Sequence, residues 1–195
     1  WEEYCREFPR WERARRGYRR RIEQICRFVV PPGMRVLELG CGPGDLLAAL
    51  KPAYGVGVDF ATGFVAMARE RHPHLRFLEG DCHQLDLGET FDYIILSDLV
   101  NDLWDIQRVF ERVRTHAHPG TRVIVNIYSN LWQPWRRLAE WIGIAKPQPR
   151  QNWLTRPDLA NLLYLAGFEV IRVSREVLLP FGVPLLAPFC YRFLV

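Results

Sequence analysis

The run Val36-Leu37-Glu38-Leu39-Gly40-Cys41-Gly42-Pro43-Gly44-Asp45 constrains this chain more than any other stretch, because an apolar strand gives way to alternating glycines where a helix should begin. Glycine lacks a Cβ, so such a turn lets a ligand lie against the main chain. A helix that starts near Asp45 then presents its free N–H groups to the same place. Three further strands follow, and each ends on polar residues. Val56-Gly57-Val58 runs into Asp59-Phe60, Arg76-Phe77-Leu78-Glu79 into Gly80-Asp81-Cys82-His83, and Phe91-Asp92-Tyr93-Ile94-Ile95-Leu96 into Ser97-Asp98-Leu99. Ligands of open α/β sheets bind beyond the carboxyl ends of the strands, where all of these residues fall.

Two cofactor families use a glycine turn of this kind, the nicotinamide or flavin dinucleotides and S-adenosylmethionine. The dinucleotide fingerprint Gly-x-Gly-x-x-Gly requires its third glycine where this chain has Asp45, which disfavours an NAD-dependent oxidoreductase. Asp59, about 20 residues after the first glycine, stands where a ribose-gripping acid is expected in either case. The four strand ends in this order resemble the class I S-adenosylmethionine-dependent methyltransferases, and the resemblance runs from about Ile22 to Phe168. Gln148 to Leu154 and the proline-punctuated Leu178 to Phe189 are similar to bacterial methyltransferase domains found alone or fused to family 2 glycosyltransferases.

The resemblance implies a three-layer, Rossmann-like α/β fold, a mostly parallel sheet with helices on both faces. Its last, antiparallel strand is either absent or supplied by 189–195. It implies S-adenosyl-L-methionine as cofactor and S-adenosyl-L-homocysteine as product. By that resemblance Gly40, Cys41, Gly42 and Gly44 line the methionine portion, and Glu38 organises the loop and the cationic amino group. Asp59 takes the ribose hydroxyls and Phe60 lies along the adenine. Asp81 accepts from the adenine amino group, the Cys82 and His83 segment meets the ring, and Ser97 offers its backbone to the amino end. Tyr18, on an N-terminal lid, reaches the cofactor together with Arg19. Asp59 and Asp81 can equally cap the segments after them, and Cys82 can be a small buried filler.

The remaining pattern completes an alternating α/β order. Helices are expected over Ala61 to Arg71, Asp105 to His116, Trp135 to Ile142 and Arg156 to Leu165, from apolar residues at helical spacing. Pro119-Gly120 reads as a turn into a fifth strand, Arg122 to Tyr128. Gly167 reads as a helix cap before a sixth strand, Phe168 to Val173. The expected organisation is one domain over 1–195, with a helical lid over 1–30, the α/β core over 31–175 and an apolar segment over 176–195.

Composition narrows the function classes. With 195 residues, 49% of them hydrophobic, the chain can bury one substantial core. Five cysteines at 5, 26, 41, 82 and 190 have no Cys-x-x-Cys spacing, so neither a disulfide framework nor a zinc site is indicated, and reduced thiols point to a cytoplasmic setting. The net charge of +4 is concentrated in Arg10, Arg13, Arg15, Arg16, Arg19, Arg20, Arg21 and Arg27. A solvated cationic helix face explains that cluster better than a nucleic-acid surface, because no RNA-binding module accompanies it. A membrane contact by the apolar tail is a weaker rival to a cover over the site.

Methyl transfer is an in-line displacement that asks the protein mainly for alignment. An acceptor hydroxyl or amine needs a proton acceptor, and Asp98, Asp102 and His83 are the candidates. Tyr128, Trp132, Trp135 and Trp153 are candidate walls of the open side. The expected function is methyl transfer to a small molecule, a sugar or a lipid-linked glycan. The alternative is a non-catalytic cofactor-binding domain of a larger glycosyltransferase protein.

Overall fold

The computed structural model describes residues 2–127, 152 and 154–174. A long helix, α1 (Glu2–Val29), leads into β1 (Arg35–Leu39), α2 (Asp45–Ala49), β2 (Tyr54–Asp59), α3 (Thr62–Arg71), β3 (Arg76–Glu79), β4 (Phe91–Leu96), α4 (Ile106–Thr115), β5 (Ala117–Val125) and α5 (Arg156–Leu165). Short 3-10 turns follow β3 (Cys82–Gln84) and β4 (Val100–Asp102). The five strands form one sheet in the order β3-β2-β1-β4-β5, and every pairing is parallel.

Side chains alternate across the sheet, and the alternation assigns each helix its layer. Leu37 and Leu39 of β1 and Ile94 and Leu96 of β4 pack with Ile106, Val109, Phe110 and Val113 of α4. Val36 and Ile95, from the same strands, face the other way and pack with Tyr18, Ile22 and Cys26 of α1, Leu47 of α2, and Val65 and Ala68 of α3. Both faces are therefore covered, as an all-parallel sheet requires. Cys5 and Phe8 extend α1 onto Ala61 and Phe64 at the start of α3. Each large apolar side chain so buried contributes about 1.5–3 kcal/mol.

Two expected elements take another form. The Pro119-Gly120 pair lies inside β5 as an irregularity: Phe91 pairs with Ala117, but Tyr93 pairs with Arg122. The His118 N–H donates to the Thr121 hydroxyl and the Gly120 N–H to His118 Nδ1, so the extra residues close on themselves as a bulge. Phe168 to Val173 forms no strand; the chain is irregular there, with Val170, Ile171 and Val173 exposed. The expected sixth strand after the Gly167 cap has no ladder, because among the described residues no strand pairs with it. The Gly167 cap is present: its φ is +80°, its N–H donates to the Tyr164 carbonyl, and the Phe168 N–H donates to the Leu163 carbonyl. Trp135 to Ile142, Tyr128, Trp132, Trp135, Trp153 and the 176–195 segment lie outside the described residues.

Candidate functional site

The glycine loop sits at the carboxyl edge of the sheet, between β1 and α2. Its three glycines do different work. A Cβ on Gly44 would lie 2.5 Å from Phe77 Cζ, and one on Gly40 2.9 Å from Leu99 Cδ1, so both positions are closed by the protein's own side chains. Only Gly42 faces open space, with a φ of +51° and nothing within 4 Å of where a Cβ would stand. The loop is fastened from below: the Gly40 and Cys41 N–H groups donate to the Val58 carbonyl at 2.8 and 3.1 Å.

Asp59, at the end of β2, fixes the loop from the side. Its Oδ2 accepts the Gly42 N–H at 2.8 Å and its Oδ1 the Ala61 N–H at 2.9 Å, so one carboxylate joins the cradle to the entry of α3. Asp59 is not itself the helix cap, since Ala61 holds that position without a side-chain cap; of the two acids, it is Asp81 that caps the turn after it, accepting the His83 N–H. Phe60, the next residue, is half exposed beside it.

Glu38 is the most perturbed acid in the site. It is 3% exposed, shares the α1–α3 face of β1 with Val36, and accepts the Leu47 N–H of α2. Its Oε2 is buried and has no hydrogen-bond partner among the described residues. Burial pushes its carboxyl up to about 8; the Leu47 N–H pulls it down, Asp59 adds to the rise, Arg19 opposes it and Asp45 adds again. A buried acceptor left without a donor costs about 1–3 kcal/mol, so a cationic or N–H group delivered here by a ligand would be held firmly.

Beyond β4, Ser97 is half buried and Asp98 takes a left-handed φ of +56°, unusual for a residue with a side chain. The Tyr18 hydroxyl donates to Asp98 Oδ1. Asn126, just past β5, donates from Nδ2 to the same oxygen at 2.6 Å and accepts the Asp98 N–H on Oδ1 at 3.1 Å. Asn126 was not singled out in the sequence, where it stands inside the expected fifth strand; the structure ends that strand at Val125 and leaves Asn126 just beyond it. Arg19 lies at the other end of the glycine loop. It pairs with Asp45 at 3.4 Å, and Asp45 also receives Arg71 at 3.3 Å and His72 at 3.0 Å. The residue that breaks the dinucleotide fingerprint is thus the junction of α1, α2 and α3.

His83 is buried, with Nδ1 2.6 Å from Asp81 Oδ1 and Nε2 accepting the Asp105 N–H at 3.4 Å. Trp104 stacks on its ring with centroids 4.4 Å apart. Both ring nitrogens are engaged, which leaves His83 poorly placed to take a proton from a substrate. Asp81 also accepts the His83 N–H at 2.9 Å; burial works against its ionisation, yet the His83 contacts hold its carboxyl below the usual range. Burial pushes the Cys82 thiol up to about 12 and the Cys41 thiol well above its ordinary value, so both are small packing groups rather than nucleophiles. Asp102 ends the 3-10 turn after β4, half buried, next to Asn101. The buried Asn101 donates to the Asn152 carbonyl at 2.7 Å.

Residues 10–173 match the family described as methyltransferase domain. The chain belongs to this methyltransferase family. It is 26% identical over 162 residues to a demethylmenaquinone methyltransferase from Streptomyces griseus, spanning 72% of this chain and 70% of the relative. It is 28% identical over 171 residues to a 2-phytyl-1,4-naphtoquinone methyltransferase from Thermosynechococcus vestitus, spanning 73% and 76%. The fold is similar to that of a magnesium protoporphyrin IX methyltransferase from Synechocystis solved with S-adenosylhomocysteine, with a TM-score of 0.65, 20% identity and coverage of 81% and 76%. The chain is an S-adenosylmethionine-dependent methyltransferase of the class I, Rossmann-like fold. The methyltransferase cradle fits its cofactor on this chain's own features: an open glycine face at Gly42, a buried unpaired acceptor on Glu38 and an exposed aromatic at Phe60.

Proposed function

We propose that the crevice above Gly42 binds S-adenosylmethionine and that the chain transfers its methyl group to a small-molecule acceptor, leaving S-adenosylhomocysteine. The observation that carries this reading is the buried, partnerless Oε2 of Glu38 beside the glycine loop, an acceptor waiting for the cofactor's amino group. The Gly42 backbone admits the methionine portion and the Ser97 backbone flanks it. Asp59, anchored at the end of β2 by two N–H groups, is oriented to meet the ribose hydroxyls. Phe60 covers the adenine, with Asp81 and the Cys82 N–H at its polar edge.

The bound cofactor supplies an electrophilic methyl on a sulfonium. This chain's residues then orient the two partners and exclude water. Where the acceptor carries a proton, Asp98 or Asp102 receives it, since both follow β4; His83 instead holds the turn after β3. The names of the quinone methyltransferase relatives favour a ring-bearing acceptor over a sugar or lipid-linked glycan. A fused or neighbouring glycosyltransferase is not needed by this reading. No helix among the described residues is long and apolar enough to cross a membrane. The thiols of Cys26, Cys41 and Cys82 support a cytoplasmic setting.

Calorimetry with S-adenosylhomocysteine and with NAD tests the cofactor; binding of NAD alone would overturn the reading. Labelled S-adenosylmethionine offered to quinols, phenols, amines and glycans tests the acceptor, and transfer to a glycan alone would overturn the preference for a ring.

A further inference from the structure

Tyr18 and Arg19 are adjacent on α1, yet they reach opposite sides of the glycine loop. Tyr18 bonds to Asp98 after β4, while Arg19 pairs with Asp45, the residue that follows Gly44. The helix therefore straddles the loop at these two residues. On the Asp98 side the grip depends on a third residue. The Asp98 N–H can be accepted only by an oxygen, so the Asn126 amide must turn its Oδ1 to the backbone and its Nδ2 to the carboxylate. Those two reciprocal bonds hold Asp98 in its left-handed conformation and aim Oδ1 at Tyr18. Leu99, the next residue, fills the place of the missing Gly40 Cβ, so the turn that carries Asp98 also rests on the glycine loop.

We propose that Asn126 is a positioning residue of the cofactor crevice, acting through Asp98 to fix the Tyr18 hydroxyl and thereby latch α1 across the glycine loop. The proposal rests on the reading of the crevice as a cofactor site. Apolar burial of Tyr18, Ile22 and Cys26 holds α1 to the domain; the clasp sets where its middle lies.

Two variants test it. Asn126→Leu removes both bonds to Asp98, and with them the 3.4 Å bond that Nδ2 donates directly to the Tyr18 hydroxyl, at every pH. Asn126→Asp keeps the acceptor for the Asp98 N–H but sets a second carboxylate against Asp98, and two such groups share one proton. At about pH 5 that shared proton replaces the lost N–H donor, and at about pH 8 the pair repels. The other titratable groups facing Asp98 are Tyr18 and Cys26 from α1, and Glu38 of β1 acts on Cys26 in turn. All of them are present in the wild type, so each variant is compared with wild type at the same pH.

Hydrogen exchange without ligand reads the latch. Protection of residues 16–29 is expected to fall about tenfold in Asn126→Leu at both pH values, the fold-change of losing one hydrogen bond to a charged group. In Asn126→Asp it falls at about pH 8 and returns to wild type at about pH 5. Equal protection in all three proteins, or loss in Asn126→Asp without recovery in acid, would overturn the latch. Stopped-flow dissociation of S-adenosylhomocysteine reads the crevice, with release expected to quicken in the same order. Unchanged release alongside lost protection would overturn the link to the crevice. Failure of the wild type to bind S-adenosylhomocysteine would instead overturn the cofactor reading, and the exchange result would still decide the latch.

Discussion

The acids at the amino edge of the sheet and three of those at its carboxyl edge are met in different ways. At the amino edge, Glu89 takes Arg35 at 2.8 Å, Arg76 at 3.0 Å and the Tyr54 hydroxyl at 3.1 Å, while Asp92 accepts the Arg35 N–H at 2.8 Å and faces His118 at 3.3 Å. Charge there is matched at the surface. At the carboxyl edge Glu38 meets the Leu47 N–H, Asp59 the Gly42 and Ala61 N–H groups, and Asp98 a phenol and an amide. These donors are neutral, so they orient the acids without cancelling their charge. The amino edge is finished by the protein; at the carboxyl edge Asp45 and Asp81 also have basic partners, and Glu38 keeps a buried oxygen with no partner among the described residues.

Changes at the two edges should differ in kind as well as size. The largest effect is expected from Gly44→Ala. Its Cβ would stand 2.5 Å from Phe77 at a φ of +77°, so overpacking and left-handed strain together cost about 2–5 kcal/mol, read by urea unfolding. Gly42→Ala meets no neighbour, so it pays only the left-handed strain of about 1–2 kcal/mol while obstructing the ligand; equal stability losses at 42 and 44 would break the distinction between them.

Next comes Glu38→Gln, expected to weaken S-adenosylhomocysteine binding by roughly 10- to 100-fold through loss of a hydrogen bond to a charged partner. The same residue predicts a pH dependence. Its folded carboxyl lies at about 8, above the unfolded value, so the group stabilises the free protein fully below the unfolded range, and that stability is lost as pH rises towards about 8. A cationic ligand favours the ionised form, so affinity should increase over the same window with release of a proton. Calorimetry in buffers of different ionisation enthalpy measures that proton, and Glu38→Gln should abolish it.

The smallest effect is expected at the amino edge. Arg35→Ala should cost below about 1 kcal/mol, because its partner Glu89 is met at the surface and retains Arg76. Ligand affinity should not change. A tenfold loss of affinity in that variant would erase the contrast between the edges.

Much of the fold was legible because its signals are local. The spans of β3, β4 and α5 follow from apolar runs, turn residues and caps that lie next to one another in the chain. The Thr155-Arg156-Pro157-Asp158 start of α5 closes as a capping box, with Thr155 and Asp158 bonding reciprocally. Phe168 to Val173 differs because an apolar run after a helix cap becomes a strand only where a neighbour supplies the ladder. Pro119-Gly120 misled because a turn signal and a bulge use the same residues, and only the pairing with β4 distinguishes them.

Within the site, local order along the chain already fixes the glycine cradle, the acids at the strand ends and hence the kind of cofactor, because strand-turn-helix order puts those residues at one edge of a parallel sheet. Tertiary structure alone decided their division of labour. Gly44 and Gly40 serve packing because Phe77 and Leu99, far along the chain, fill the space above them. Arg19 turns to Asp45 because α2 and α3 bring that carboxylate beside α1. Asn126 joins Tyr18 and Asp98 across separations of 108 and 28 residues, and no local pattern can signal a contact that exists only once three elements have packed together.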